Sequence, residues 1–239
     1  MHDNLLTMKP NSLTIVIPSY NEEGNIVACI SKIPEFKWKT EIIVVDEGTD
    51  KTAELAQELA EKRKNLKVLH FNERLGQGGA FLKALDIAQG DIIITLDADY
   101  TVDPSEIENI VAPIFNDEAD FVNTSRLIYP MEEGAMSFSH KIGNKMFAIL
   151  TSIILRKYFT DVFSGKRAFK KKLIEDKLTE KGWPALDMLF AARKYNLRIK
   201  EIPVHYKARK SGTSKVGTFK TGYFHLKDIL DKTKKYYFS

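Results

Sequence analysis

The sequence predicts an α/β protein in which helices cover both faces of a mostly parallel β-sheet. Short apolar runs rich in Val and Ile alternate with amphipathic segments along the first half of the chain. Strands buried on both faces carry such continuous apolar runs, and parallel neighbours need a crossover connection, usually a helix. The 239-residue chain shows neither internal repeats nor a low-complexity linker, which favours one domain over two.

The first half is predicted as a regular alternation of strands and helices. Five apolar runs predict strands, at residues 13–18, 41–46, 66–71, 91–96 and 119–125. Helices are predicted between them at residues 22–33, 50–64, 78–88 and 104–115. Asp50 is placed to cap the second helix, and Pro104 stands in the first turn of the fourth.

After residue 126 the rhythm changes. Residues 142–158 predict one long helix, apolar around most of its circumference, and a helix at 184–195 lies between possible strands at 163–169 and 198–206. A basic, Gly/Ser-containing loop at 207–217 leads to a closing amphipathic helix at 220–235. The prediction is one domain, 1–239, with a nucleotide-sugar half at about 13–125 and an acceptor half at about 126–239.

Composition favours a globular protein that is not a polycation, since the net charge is only +4. Basic residues are nevertheless concentrated at 163–174 and 204–227, which contain no acid and suit an anionic partner such as phosphate, nucleic acid or acidic lipid. Cys29 is the only cysteine, as expected in a reducing compartment. We expect no signal peptide or membrane span, because the longest apolar stretch, 146–155, is about half the ~20 residues that a span needs.

Two aspartates, Asp97 and Asp99, follow the buried fourth strand, and their side chains point the same way in an extended chain. Ligands of open α/β sheets bind beyond the carboxyl ends of the strands, where the first two strands also end in polar residues. Paired carboxylates suit Mg²⁺ or Mn²⁺ with substrate phosphates. The alternatives are a cap for the following helix, or a dinucleotide site at "GQGGAF" (76–81), which lacks the third glycine of that fingerprint.

Several motifs together resemble family 2 glycosyltransferases of the GT-A fold, and within them dolichyl-phosphate mannose synthases. They are "TIVIPSYNEEGNI", "EIIVVDEGTDKT", "LGQGGAFLKAL", "GDIIITLDADYTVDP", "NTSR", "DVFSGKRAF" and "RKSGTSK". Each motif is short, but their order and spacing from about residue 13 to about 215 are specific. The resemblance implies a GT-A-type, Rossmann-like sheet.

The resemblance also implies roles for residues of this chain. The residues expected to hold the base and ribose of a nucleotide sugar are Pro18, Tyr20, Asn21, Glu22, Val44 and Asp46. Asp97, Ala98 and Asp99 would form the metal and diphosphate site, with Thr101 as a weaker third metal ligand. Arg126, after Ser125, and then Arg209 and Lys215, in a loop with Gly212 and Ser214, would face phosphate groups of donor and acceptor.

Four positions depart from the family pattern. In "DEGT", Glu47 stands where the second aspartate is usual and Thr49 where a serine is usual, which keeps the charge and the hydroxyl. Thr101 stands where the closest relatives often have Gln. Lys166 replaces an aromatic residue in "SGKR", and we expect it to add a charge near the acceptor site.

The implied reaction is inverting transfer of mannose from GDP-mannose to a polyprenyl (dolichyl-type) phosphate by a cytoplasmic protein at the membrane surface. A phosphate acceptor is largely a dianion at neutral pH and needs no strong base; Asp187 is a possible acceptor-side residue. The short apolar helix at 142–158, with basic residues at its ends, suits a bilayer surface, a core or a dimer contact.

The sequence is also compatible with other functions. Within the same class, the donor could be a UDP-sugar such as UDP-glucose, or the acceptor a saccharide. A non-catalytic nucleic-acid-binding protein would use the basic C-terminal half, although few aromatic residues are interleaved with the cations of 163–174. A nucleotidyltransferase would be expected to have a glycine-rich loop after the first strand, where this chain has "PSYNEEGN".

Overall fold

The computed structural model describes residues 10–178, 184–209 and 218–238. Its strands form one seven-stranded sheet with the order β3-β2-β1-β4-β6-β5-β7. The strands are β1 (Ser12–Ser19), β2 (Lys39–Asp46), β3 (Leu66–His70), β4 (Ile92–Thr95), β5 (Phe121–Ser125), β6 (Arg167–Lys170) and β7 (Ile199–Pro203). The α-helices within these residues are α1 (Ile26–Ser31), α2 (Thr52–Lys62), α3 (Gly76–Ile87), α4 (Ile107–Phe115), α5 (Phe138–Leu155), α6 (Lys171–Ile174), α7 (Pro184–Lys194) and α8 (Thr218–Tyr237).

The directions of the strands bring the functional segments to one edge of the sheet. β1 pairs in parallel with β2 and β4, β2 with β3, and β5 with β7. β6 alone is antiparallel, and it lies between β4 and β5. The edge where the parallel strands end, here called the carboxyl edge, is therefore also the edge where β6 begins. Residues just before β6 consequently lie beside those just after β4.

Alternating side chains of the central strands build a core on each face of the sheet. Val16 and Ile43 pack on the side that contains α3, α5 and α7, together with Phe81. Their neighbours Ile15 and Ile42 pack on the opposite side, against apolar residues of α1 and α4. These four strand side chains are fully buried, which explains the continuous apolar runs of the sequence.

The predicted fold class is confirmed, while several element bounds differ. The first helix is shorter than predicted because a hydrogen-bonded turn at residues 23–25 precedes Ile26, and β6 begins only at Arg167. α5 begins earlier than predicted, because the Ser137 hydroxyl accepts a hydrogen bond from the His140 amide and caps it. α5 ends where Arg156 adopts a left-handed conformation, with φ of 49°. Of the predicted loop at 207–217, residues 210–217 lie outside the described residues.

Candidate active site

The turn after β4 holds Asp97 and Asp99 at the carboxyl edge. Tyr100 has a φ of 58°, an uncommon conformation for a bulky residue, and it turns the chain back over Asp99. The Asp99 carboxylate then accepts the Thr101 amide at 3.1 Å and the Thr101 hydroxyl at 2.8 Å. The following helical segment is capped by Asp103, which accepts the Ser105 amide at 3.0 Å. Asp103, and neither Asp97 nor Asp99, therefore caps that helical segment.

Each of the two carboxylates contacts a cation from the second half of the chain. The Lys166 ammonium lies 2.5 Å from Asp97 Oδ2 and 3.1 Å from the Thr101 hydroxyl. The Arg209 guanidinium lies 2.6 Å from Asp99 Oδ2. Lys166 is 2% exposed, whereas Asp97 is 28% exposed and opens to the cleft. The charge that Lys166 was expected to add near the acceptor site is directed inward, to the carboxylates of the β4 turn.

These cations determine the protonation of the cluster. Burial by itself would raise the pKa of Asp99, but the charges of Lys166 and Arg209 outweigh it and hold that pKa below its ordinary value. Burial likewise disfavours the charged form of Lys166, and Asp97 and Asp99 overcome it, so its pKa is raised. The site therefore holds two carboxylates and two basic side chains, and the pKa shifts of Asp99 and Lys166 both favour the charged form.

Gly165 allows the start of β6 to lie close to the Asp97 carboxylate. A Cβ atom on Gly165 would lie 2.9 Å from Asp97 Oδ1 and 3.0 Å from Oδ2, which is closer than real Cβ contacts. The backbone carbonyl of Gly165 also accepts the Thr95 hydroxyl at 2.5 Å. The glycine thus fixes the start of β6 directly against the Asp97 carboxylate.

The expected divalent cation fits this arrangement in part. The described residues contain no cluster of three His, Cys, Asp or Glu side chains that could hold a metal. Both oxygens of Asp99 are engaged, and the Thr101 hydroxyl donates to Asp99 while it accepts from Lys166. Asp97, partly exposed, is the side chain best able to hold Mg²⁺ or Mn²⁺ together with substrate phosphates. Thr101 as a third ligand stays a prediction.

The ends of β1 and β2 form the neighbouring part of the edge. The buried Asp46 carboxylate accepts the Ser19 hydroxyl at 2.8 Å and lies 3.0 Å from His70 Nδ1. Glu47 accepts the Leu75 and Gly76 amides, at 2.5 and 2.7 Å, and so fixes the start of α3. The glycines of "GQGGAF" therefore turn the chain into α3 against a carboxylate, as the non-dinucleotide interpretation requires.

The remaining predicted nucleotide residues are spread between the edge and the core. Tyr20 lies at the edge, and the Arg74 guanidinium stacks 3.5 Å from its ring centre. Glu22 accepts the Asn25 side-chain amide at 2.8 Å. Pro18 lines a small cavity with Asp97, Gly165 and other residues of the edge. Val44 and Ala98 have buried side chains in the core, so only their backbones are near the cleft.

Arg126 lies at the carboxyl edge but is already paired. Its guanidinium donates to both oxygens of Asp161, at 2.7 and 3.0 Å. Asp161 is buried, and the charge of Arg126 outweighs that burial and keeps the pKa of the carboxyl low. The bidentate pair points to a structural role for Arg126 beside the cleft.

The basic segment after β7 packs on the β4 turn. The Lys207 amide donates to the Thr101 carbonyl at 2.8 Å, and its ammonium lies 2.8 Å from Asp103. These contacts hold the segment against the β4 turn, where Arg209 contacts Asp99. Lys215, with Gly212 and Ser214, lies outside the described residues, and its predicted role stays a prediction.

Asp187, a possible acceptor-side residue from the sequence, is buried and links α7 to α8. It accepts the Tyr236 hydroxyl at 2.9 Å and the Lys235 ammonium at 3.0 Å. Sequence reasoning did not identify Asp161, His70, Arg74 or Gly165, nor the contact of Lys166 with Asp97. The only signal for the last was that "SGKR" places a cation where an aromatic residue is usual.

Comparison with known proteins places these features in a family. The model of Glycosyl transferase family 2 matches residues 14–178. The chain is 32% identical over 217 residues to a UDP-N-acetylglucosamine–dolichyl-phosphate N-acetylglucosaminyltransferase of Methanococcus voltae, covering 82% of this chain and 86% of that relative. It is 29% identical to a low-salt glycan biosynthesis hexosyltransferase of Haloferax volcanii, over 95% of this chain but 55% of that relative's length.

Solved structures share the fold at low sequence identity. Glucosyl-3-phosphoglycerate synthase from Mycobacterium tuberculosis, in complex with Mn²⁺, UDP and glucosyl-3-phosphoglycerate, superposes with a TM-score of 0.68 at 18% identity, over 94% of this chain and 79% of that one. Mannosyl-3-phosphoglycerate synthase from Rubrobacter xylanophilus superposes with a TM-score of 0.67 at 17% identity, over 94% and 74% of the two chains. At these identities the likeness concerns the fold.

Proposed function

The chain belongs to glycosyl transferase family 2, and we propose that it transfers a hexose from a nucleoside diphosphate sugar to the phosphate of a polyprenyl lipid. The observation that carries the proposal is the cluster at the end of β4. There Asp97 and Asp99 meet Lys166 and Arg209 at the edge of the sheet where ligands of open α/β folds bind.

The cluster suits departure of a nucleoside diphosphate. The leaving group gains negative charge as the bond to the sugar breaks, and preorganised cations in a partly desolvated cleft stabilise that charge. Arg209 is 32% exposed, so its guanidinium can reach a ligand without unfolding of the turn. A divalent cation, Mg²⁺ or Mn²⁺, supplies further charge neutralisation when bound. Asp97, which is partly exposed, is the side chain that would hold it, beside Asp99.

GDP-mannose is the donor that the motif resemblance favours. A UDP-sugar is the second candidate, because the Methanococcus voltae relative at 32% identity is named for UDP-N-acetylglucosamine. In either case we place the base and ribose beside Tyr20 and Asp46, in the half formed by residues 13–125. The cations that face the diphosphate, Lys166 and Arg209, come from residues 126–239, so the proposed acceptor half also serves the donor.

A lipid phosphate is the acceptor that fits this chemistry. It is mostly a dianion at neutral pH and can attack the anomeric carbon without a general base. The same relative is named for dolichyl phosphate.

The surface of α5 supports action at a membrane. Five side chains spaced three or four residues apart are 46–77% exposed on that helix, namely Phe138, Ile142, Met146, Ile149 and Ile153. We call this row the α5 apolar face. Exposed cationic residues, Lys145, Arg156 and Lys157, lie at the same helix or just beyond it, as in helices that rest on anionic bilayers. In the described part of the chain, no helix is long and apolar enough to span the bilayer. From the α5 apolar face and the cations beside it, we propose peripheral binding to the cytoplasmic face of a membrane.

A donor panel tests the reaction. The protein is incubated with labelled GDP-mannose, UDP-glucose or UDP-N-acetylglucosamine, polyprenyl phosphate in vesicles and Mn²⁺, and label extracted into organic solvent is measured. We expect transfer from one donor, and about a 100-fold loss in Asp99→Asn, because the neutral amide no longer holds the Arg209 guanidinium or a divalent cation where it stabilises the leaving diphosphate. The matched control is Asp91→Asn at the opposite end of β4, where Asp91 accepts the Ser12 hydroxyl at 2.7 Å.

The membrane part is tested separately by sedimentation with phosphatidylglycerol vesicles. Ile149→Ser with Ile153→Ser should release the protein from the vesicles, whereas Val27→Ser, exposed on α1, should not. Label in lipid from none of the donors would refute the lipid acceptor. Unchanged sedimentation of the α5 double variant would refute only the membrane surface.

A further inference from the structure

Lys166 occupies the place at which a cation would be expected between the carboxylates of the β4 turn. Its ammonium contacts Asp97 Oδ2 and the Thr101 hydroxyl, two of the three groups predicted to ligate a divalent ion. Arg209 takes the outer oxygen of the third, Asp99. The four charged groups sum to zero, so the cluster as folded has no uncompensated negative charge to attract a second cation.

The backbone around Lys166 is held from both neighbouring strands. The Thr95 hydroxyl of β4 donates to the Gly165 carbonyl at 2.5 Å and accepts the Arg167 amide at 3.0 Å. The Thr124 hydroxyl of β5 donates to the Lys166 carbonyl at 2.7 Å. Because the residue is clamped on both sides and is 2% exposed, its ammonium has little freedom to leave.

We propose that Lys166 is a built-in cation of the donor site, which takes the place of a tightly held divalent ion and supplies its positive charge to the donor diphosphate from beside Asp97. The identity of the ligand, a nucleoside diphosphate, rests on the proposed function. The competition between the Lys166 ammonium and a divalent ion does not. The ammonium occupies one side of Asp97 Oδ2, and its charge repels a divalent ion that approaches the same carboxylate. The chain therefore binds Mn²⁺ weakly, and nucleoside diphosphates bind with or without it.

The first experiment is a Mn²⁺ titration of the purified protein, followed by electron paramagnetic resonance of the free ion. Lys166→Met leaves the carboxylates with one cation fewer, and we expect it to bind Mn²⁺ about tenfold more tightly than the wild type, a typical coupling between two sites. The matched control is Lys170→Met. Lys170, four residues along, also bridges two carboxylates, 3.0 Å from Asp117 and 2.8 Å from Asp120, but at the other end of β6. It should leave Mn²⁺ binding unchanged.

The second experiment needs only the wild type, so it decides the matter if Lys166→Met fails to fold. Calorimetric titration with GDP and with UDP is performed in EDTA and again in Mn²⁺. We expect the affinity for the nucleoside diphosphate that binds to differ by no more than about threefold between the two conditions.

Two results would overturn the proposal: Mn²⁺ binding by folded Lys166→Met no tighter than by the wild type, or nucleoside diphosphate binding that requires Mn²⁺. If neither GDP nor UDP binds under any condition, the donor class of the proposed function is wrong. The Mn²⁺ titration then decides the role of Lys166 alone.

Discussion

The buried pair of Arg126 and Asp161 gives a prediction that separates a structural from a phosphate-binding role. Three Arg126 donors, the backbone amide, Nε and Nη2, bond Asp161 at 3.2, 2.7 and 3.0 Å. The Arg126 side chain is 13% exposed and that of Asp161 is not exposed at all. Removing one partner of such a pair leaves a buried charge and typically costs about 3–5 kcal/mol.

Substitution of the two partners should not lower the free energy of unfolding by the same amount. In Arg126→Met the Asp161 carboxylate still interacts with the buried charge of Arg167, so we place this variant at the lower end, about 3 kcal/mol. In Asp161→Asn two buried guanidinium groups lose their anion, and we place it at the upper end, about 5 kcal/mol. For a chain of this length, 3 kcal/mol corresponds to a Tm lower by about 6–12 °C.

Urea unfolding followed by circular dichroism, together with thermal scans, measures both variants at neutral pH. Arg198→Met is the matched control, because Arg198 also bonds two carboxylates, of Asp117 and Asp120, but is 49% exposed. We expect it to cost about 1 kcal/mol or less. If Arg126→Met were as stable as the wild type and raised KM for the donor, the phosphate-facing role implied by the family resemblance would replace the structural one.

Two further predictions concern single residues of the edge and of α8. Gly165→Ala should displace the Asp97 carboxylate and lower kcat, while Gly143→Ala, whose added methyl would meet nothing within 4 Å, should leave activity unchanged; equal kcat in both would contradict the close contact. Burial, followed by Asp187, raises the pKa of Asp228 from 3.8 to about 6, so folding binds a proton and this group's stability contribution declines as the pH rises from about 4 to about 6. In urea titrations at pH 8, Asp228→Asn should have a free energy of unfolding higher than that of the wild type by up to about 3 kcal/mol. At pH 4 the two proteins should be equally stable, and a difference independent of pH would exclude this carboxyl as the cause.

The fold could be predicted from the sequence because parallel strands buried on both faces leave a strong pattern. Ile15 and Val16 face opposite sides, yet both are fully buried, so apolar residues follow one another along the strand instead of alternating with exposed polar ones. β6 left no such pattern, since only four residues pair and they include Arg167 and Lys170. Its antiparallel direction depends on the neighbours that it joins, which no local pattern encodes.

The candidate site was likewise predictable from the sequence only in part. Asp97 and Asp99 could be predicted because they directly follow a recognisable strand whose end defines the edge. Lys166 could not be placed there, because its position depends on the direction of β6 and on clamping by Thr95 and Thr124. Arg126 was assigned to phosphate by resemblance, and its partner Asp161, 35 residues away, carries no sequence signal for pairing.

The arrangement of charge at the carboxyl edge connects the two halves of the chain. The anions, Asp97 and Asp99, lie within residues 13–125, and each is matched by a cation from residues 126–239. Lys166 is fixed by two strands, whereas Arg209 is a third exposed and follows the segment that Lys207 fastens to the β4 turn. A diphosphate that enters the cleft can therefore attract Arg209 away from Asp99 while Lys166 stays in place. In this arrangement Lys166 provides the permanent positive charge, and Arg209 is the cation able to follow the ligand.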